Sequence, residues 1–148
     1  MPRTTDITPL QAQDKAAWLT LAKAYLAFYG TSRPESDFER LWLRLQAGDG
    51  LHALGARVDG QLVGIVHHLY HPSCWSDDVC YLQDLFVSPA HRGQGLGRAL
   101  IEAVAEQARL KGSPRLYWLT QASNDTARKL YDQVAAHTGF IRYELPLG

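Results

Sequence analysis

Gly93, Gly95 and Gly97 stand at alternate positions between a strand-like run and a helix-like run. Without side chains there, an anion can reach the main chain. A helix opening at Leu96 points its first N–H groups outward, at the positive end of its dipole. That is phosphate-binding chemistry built from backbone alone, and the strand before the loop should lie along the ligand. The spacing is not a Walker loop, because no Gly-Lys-Ser/Thr follows. It is not the dinucleotide fingerprint either, because Arg98 occupies the third glycine position. A tight turn that packs a helix on a strand is the plainer reading of the same glycines.

His67, His68 and His71 form a second group. Strand alternation puts His67 and His71 on one face and His68 on the other. No further Cys or His adds ligand-like spacing, so no metal is expected. Polar residues lining a cleft is the favoured reading, with one imidazole available as a proton relay.

The elements that must position these groups follow from periodicity. Residues 4–8 read as a first strand. Trp18, Leu21, Ala22, Tyr25, Leu26 and Tyr29 keep helical spacing between Asp14 and Tyr29, and Gly30-Thr31-Ser32 ends that helix. A second helix runs from Pro34 to about Ala47, with Phe38, Leu41, Trp42 and Leu45 on one stripe. Leu51–Val58 and Gln61–His71 read as strands joined by an Asp59-Gly60 hairpin turn. Val79–Val87 is the next strand, stopped by Ser88-Pro89. Leu96–Lys111 is a helix, Arg115–Thr120 a strand, and Ser123 or Asn124 caps a last helix that Gly139 ends. Phe140–Leu145 reads as a final strand. The order indicates an α/β protein with a mixed sheet, antiparallel first and then crossed by helices.

The chain has 148 residues, with 15 Lys plus Arg against 15 Asp plus Glu. One domain, 1–148, is expected. Zero net charge argues against a general nucleic-acid or anionic-membrane binder. No apolar run suggests a membrane span, and Met-Pro-Arg-Thr-Thr-Asp lacks the apolar core of an export signal. A cytoplasmic protein with Cys74 and Cys80 as free thiols is expected.

Two motifs together resemble the GNAT superfamily of acetyl-CoA-dependent N-acetyltransferases. Arg92-Gly93-Gln94-Gly95-Leu96-Gly97 is similar to the family's Arg/Gln-x-x-Gly-x-Gly/Ala signature. It follows the strand end Leu85-Phe86-Val87-Ser88-Pro89. Asn124-Asp125-Thr126-Ala127-Arg128-Lys129-Leu130-Tyr131 is similar to Asn-x-x-Ala-x-x-Leu-Tyr on the next helix, followed by Gly139-Phe140. The motif match is confined to 81–140, whereas the element order matches over nearly the whole chain. The resemblance implies a mostly antiparallel sheet of six to seven strands flanked by about four helices.

It also implies acetyl-CoA as co-substrate and a primary amine as acceptor: a small amine, amino acid, polyamine or protein lysine. A homodimer is plausible. Amides from Arg92 to Arg98 would hold the pyrophosphate, and Arg92 and Arg98 could add side-chain charge. The backbone of Leu85 and Val87 would pair with the pantetheine arm like an added strand. Leu85 or Phe86 would offer an N–H to the oxyanion. Asn124 belongs to the cofactor motif. Tyr131 would protonate the departing thiolate, although its stripe with Ala127, Leu130 and Val134 also suits a core aromatic.

The base is open. Similar diamine acetyltransferases carry Glu-Asp where this chain has Gln83-Asp84. Asp84 is the nearest carboxylate and, by alternation, faces opposite to Gln83. A base acting through water, an ammonium anchor and a structural acceptor are the three roles it could fill. Tyr25, Phe28, Tyr29, Trp42 and Trp75 are candidate acceptor-lining aromatics, and Asp77, Asp78 and Asp84 a candidate acidic cluster. Seven residues, Asp132–Thr138, separate Tyr131 from Gly139. The family commonly has about four, so about one extra helical turn is implied. A non-enzymatic acyl-CoA-binding module is the rival reading.

Overall fold

The structure is a computed structural model that describes residues 4–148. Met1–Arg3, the start of the segment expected to carry no export signal, lie outside the described residues. In chain order the elements are β1 (Thr5–Pro9), a 3-10 turn (Ala12–Asp14), α1 (Lys15–Phe28), α2 (Glu35–Ala47), β2 (His52–Val58), β3 (Gln61–His71), β4 (Val79–Val87), a 3-10 turn (Pro89–His91), α3 (Leu96–Leu110), β5 (Leu116–Tyr117) and α4 (Asp125–Val134). They fall into two compact units, one ending at Trp118 and one starting at Leu119.

The first unit holds the sheet, ordered β1-β2-β3-β4-β5. The first four strands are antiparallel, and β5 lies parallel to β4. Asp59 and Gly60 close the β2–β3 hairpin with φ of 52° and 82°. Both central residues of a type I′ turn need positive φ, which is why Asp-Gly suits it. Pro34 caps α2, acidic Glu35 and Asp37 sit in its first turn, and Gly48 stops it in the left-handed region.

Strand register departs from simple alternation in one place that decides the site. His67 pairs with Asp84 but His68 pairs with Leu82, so Gln83 is the extra residue of a β-bulge. Before the bulge, Cys80 and Leu82 face α3. After it the parity flips, and Asp84 and Phe86 face α1 and α2. Phe86 and Ile65 accordingly join Trp18, Leu21, Phe38, Trp42 and Leu45 in one buried cluster. Leu96, Leu100, Ile101, Val104 and Ala108 make the buried stripe of α3.

A bidentate ion pair anchors the start of α1. Arg57 on β2 donates from Nη1 to Asp14 Oδ1 at 2.9 Å and from Nη2 to Oδ2 at 2.6 Å. Arg57 Nε also reaches Thr8 Oγ1 at 2.8 Å, which ties β1, β2 and α1 together. The Arg57 hydrogen bond holds the Asp14 carboxyl below its ordinary pKa, so the pair stays charged inside the fold.

Four sequence expectations are corrected. Among the described residues the sheet has five strands, not six to seven. Arg115–Thr120 contributes only Leu116–Tyr117, which pair with Cys80 and Tyr81. Beyond that point β4 turns aside at its bulge, so a parallel neighbour loses its register. Phe140–Leu145 is not a strand: residues 135–148 form neither helix nor strand. Its apolar–polar alternation is a fair strand pattern, but a strand needs a partner edge to satisfy its backbone. Nor does α4 run to Gly139. It ends at Val134, and Ala135 is extended at φ −150°. The added residues lengthen the segment after the helix rather than the helix.

The second unit is α4 and the segments beside it. Asn124 caps α4, its side chain accepting from the Ala127 N–H at 3.4 Å, while Arg128 Nη1 donates to Ala122 O at 2.8 Å. No residue of α4 is fully buried; Ala127, Leu130, Tyr131 and Val134 are half-buried.

Candidate active site

A cavity of about 500 Å³ opens between α1, α2, β3 and β4. Its inner wall carries Tyr25, Ile65, His67, Gln83, Asp84 and Phe86, and its α2 wall carries Asp37, Arg40 and Arg44. The bulge overturns one sequence expectation: Gln83 and Asp84 both line this cavity instead of facing opposite ways.

Asp84 is held from two sides. His67 Nδ1 lies 2.9 Å from Asp84 Oδ2. On the other edge of the same ring, Trp18 Nε1 donates to His67 Nε2 at 3.0 Å. An indole N–H only donates, so Nε2 must accept and the ring proton is assigned to Nδ1, which donates to Asp84. Trp18 is fully buried against Trp42, so the relay is rigid. The Tyr25 hydroxyl is the second partner of Asp84. Burial first, and the Asp84 carboxylate next, push its pKa far up, so it stays a protonated donor. The arrangement orients one carboxylate into the cavity and fixes its donors, as a group that anchors an ammonium or takes its proton requires.

The other expected residues are distributed as follows. Trp42 is core and Trp75 is 95% exposed, so of the candidate aromatics Tyr25 alone lines the cavity. Asp77 and Asp78 lie in the exposed loop before β4 and do not line it. His71 is occupied: Nδ1 lies 2.8 Å from Pro72 O and Nε2 2.9 Å from Tyr117 OH. His68 faces α3. It is 1% exposed, and neither ring nitrogen has a hydrogen-bond partner. His52 lies 5.4 Å from it between ring centroids and Tyr70 5.9 Å, with Lys111 over the Tyr70 ring. The three histidines do not converge, and no group of three or more metal-binding side chains forms among the described residues. Cys74 and Cys80 are free thiols.

The glycine loop has the form an anion cradle needs. Gly93 and Gly95 adopt φ of 78° and 77°, and no atom lies within 4 Å of where a Cβ would stand on either. Gly97 falls inside α3, whose first turn has no side-chain cap. Arg92 lies on the strand end, with Nε donating to Val87 O at 3.1 Å and the guanidinium over Phe28 and Phe86 at 5.7 and 5.3 Å. On β4, the edge away from β3 has no strand partner from Gln83 to Val87 among the described residues.

A profile of the acetyltransferase (GNAT) family matches residues 18–135. The chain belongs to the GNAT family. It is 32% identical to a D-amino-acid N-acetyltransferase of Saccharomyces cerevisiae over 93% of this chain and 88% of that protein. It superposes on a ribosomal-protein-alanine N-acetyltransferase of Brucella melitensis biovar Abortus 2308 with a TM-score of 0.79 at 28% identity, covering 97% of this chain and 100% of that one. An aminoglycoside N-acetyltransferase solved in complex with CoA shares the fold, with a TM-score of 0.88 at 20% identity over 99% and 97% of the two chains. This GNAT protein is an acetyl-CoA-dependent N-acetyltransferase, and the enzymatic reading stands over a non-enzymatic acyl-CoA-binding module. No helix among the described residues is long and apolar enough to cross a membrane.

Signals for Asp84, the glycine loop and the Asn124–Tyr131 motif were all present in the sequence. The partnership of Trp18 with His67, and the α2 arginines, carried none. They depend on which residues the sheet and helices bring together.

Proposed function

We propose that the enzyme acetylates the primary amine of a small acceptor seated in the α1–α2–β3–β4 cavity, with Asp84 as the group that receives it. The observation that carries this is the Trp18–His67–Asp84 chain of hydrogen bonds, ending on a carboxylate that lines the cavity. Alkyl amines are mostly protonated at neutral pH, since they titrate near about 10. Asp84 attracts the ammonium and takes its proton, directly or through a water. The freed lone pair then attacks the thioester carbonyl. The N–H of Leu85 or Phe86 donates to the oxyanion. A C–N bond forms, the nitrogen sheds its second proton to water, the C–S bond breaks, and the thiolate leaves with a proton. By its place in the family motif, Tyr131 is the proposed donor of that proton.

The residues that would hold acetyl-CoA fit it. Gly93 and Gly95 leave open space at their Cβ positions, and amides from Arg92 through Gly93, Gln94, Gly95, Leu96 and Gly97 to Arg98 are proposed for the pyrophosphate. The free edge of β4 at Leu85, Phe86 and Val87 offers main-chain groups to an amide-bearing arm. Asn124, as the α4 cap, completes the proposed set. One catalytic domain over 1–148, in the cytoplasm and as a homodimer, goes with this reading.

Two measurements follow. Gly95→Ala puts a Cβ on a backbone at φ 77° and into the space proposed for the pyrophosphate. A stability loss of about 1 kcal/mol is expected from the strain, with acetyl-CoA affinity falling about tenfold or more by calorimetry. Unchanged affinity would move the phosphate site elsewhere. Tyr131→Phe removes only a hydroxyl, and kcat is expected to fall about 10²-fold while acetyl-CoA binding persists. Full activity in that variant would assign Tyr131 to packing. A panel of small amines, read by CoA release, tests the whole reading.

A further inference from the structure

We infer that Arg40 and Arg44 read a carboxylate on the acceptor, so that the preferred substrate is an amine that also bears an acid group. This rests on the cavity being the acceptor site, and it follows from how the charges in that cavity are shared.

Besides His67 and Tyr25, the cavity is lined by five ionisable side chains: Arg33, Asp37, Arg40, Arg44 and Asp84. Asp37 is already committed. Its Oδ2 takes Arg33 Nε at 2.9 Å and its Oδ1 takes Arg40 Nη2 at 3.4 Å. Two guanidiniums thus share one carboxylate, which leaves an excess positive charge on that trio. Arg44 has no carboxylate within ion-pair reach among the described residues. Asp37, Arg40 and Arg44 lie at intervals of three and four along α2, which places them on one stripe of the helix. Arg33 and the α2 wall together are therefore cationic by two charges. The wall made by β3 and β4 carries the one carboxylate not engaged by an arginine, Asp84, with Tyr25 and His67 donating to it.

A ligand complementary to both walls has an ammonium at one end and an anion at the other. A guanidinium presents a planar fork that matches a carboxylate with two parallel hydrogen bonds. A polycationic acceptor would satisfy Asp84 with one amine and bring its next ammonium against Arg44, where nothing compensates it. Arg40 stays engaged with Asp37 at a long 3.4 Å, a bond it can loosen to turn toward an incoming carboxylate.

The test compares matched acceptors: lysine, lysine amide and 1,5-diaminopentane, then glycine, β-alanine and 4-aminobutyrate to read the amine-to-acid span. Turnover is followed by CoA release. Binding of each compound to the CoA-loaded protein is followed by calorimetry. For the wild type, the acid is expected to exceed its amide in kcat/KM by about tenfold or more. In Arg44→Ala that preference should collapse through KM of the acid, while the amide moves far less. Arg44→Lys should recover part of it, since it restores the charge without the fork. Amide or diamine turning over as well as the acid in the wild type would overturn the inference while leaving the acetyltransfer reading intact. So would an equal loss for acid and amide in Arg44→Ala. Conversely, selective binding of the acid that Arg44→Ala abolishes, with no turnover of any amine, would uphold the subsite and sink the acceptor-site chemistry.

Discussion

Asp84→Asn is expected to lower kcat/KM for the amine by about 10²–10³-fold, with acetyl-CoA affinity unchanged. The substitution is nearly isosteric. Its carbonyl oxygen can still accept from His67 Nδ1 at the 2.9 Å contact, so the wall of the cavity stays in place. What it removes is the negative charge that draws in an ammonium and the lone pair that takes its proton. A merely structural Asp84 predicts activity within a few fold of wild type, and that result would send the search for a base elsewhere. The pH profile separates the two losses. If Asp84 takes the proton, raising the pH should partly restore Asp84→Asn, because free amine becomes abundant toward its pKa near about 10. If it only anchors the ammonium, added pH gives no recovery.

The second large effect concerns stability in mild acid. His68 is fully enclosed between the sheet and α3, with both ring nitrogens unpartnered. Burial first, and then the charges of His52, His67 and Lys111, push its pKa down from 6.5 to about 4. His52 is lowered too, by burial and then by Lys111. Above pH 6.5 both folded and unfolded imidazoles are neutral, and the shift has no effect. Between 6.5 and about 4 the unfolded chain binds a proton that the folded chain refuses, so stability falls as pH falls. The full loss from His68 is about 3 kcal/mol, a large share of the roughly 5–15 kcal/mol typical of a domain. Asp14, held low by Arg57, adds its own loss only below its ordinary 3.8. Urea unfolding between pH 7 and 4.5 should show the decline. His68→Leu should flatten it and, having no buried nitrogen to desolvate, should be at least as stable at pH 7. An equally steep decline in that variant would trace the acid sensitivity to other groups.

The parts of this fold that were legible beforehand are those set by neighbours in sequence. Pro34 and Gly48 bracket α2, Asp59-Gly60 makes its hairpin, and Gly95 starts α3, each for a backbone reason that acts over a few residues. The parts that were not legible depend on distant partners. Nothing in Val79–Val87 announces a bulge, because a bulge exists only relative to the strand opposite. Period-two reasoning therefore put Gln83 and Asp84 on opposite faces. In the same way Phe140–Leu145 has a strand's pattern without a strand's pairing. The site divides along the same line: Asp84 and the glycines carry recognisable chemistry, whereas Trp18, His67 and Arg44 acquire theirs only from what the tertiary structure sets beside them.

The bulge gives β4 one residue that the facing of its neighbours does not depend on. Deleting Gln83 would restore unbroken alternation and still leave Asp84 opposite His67 and Phe86 opposite Ile65, facing α1 and α2. Replacing Gln83 leaves the facing of every later residue intact too. Along this strand the pairing of Asp84 with His67 sets what faces the cavity, whichever residue fills the bulge. Substitutions at Gln83, and its removal, should both leave Asp84 and Phe86 in the cavity wall.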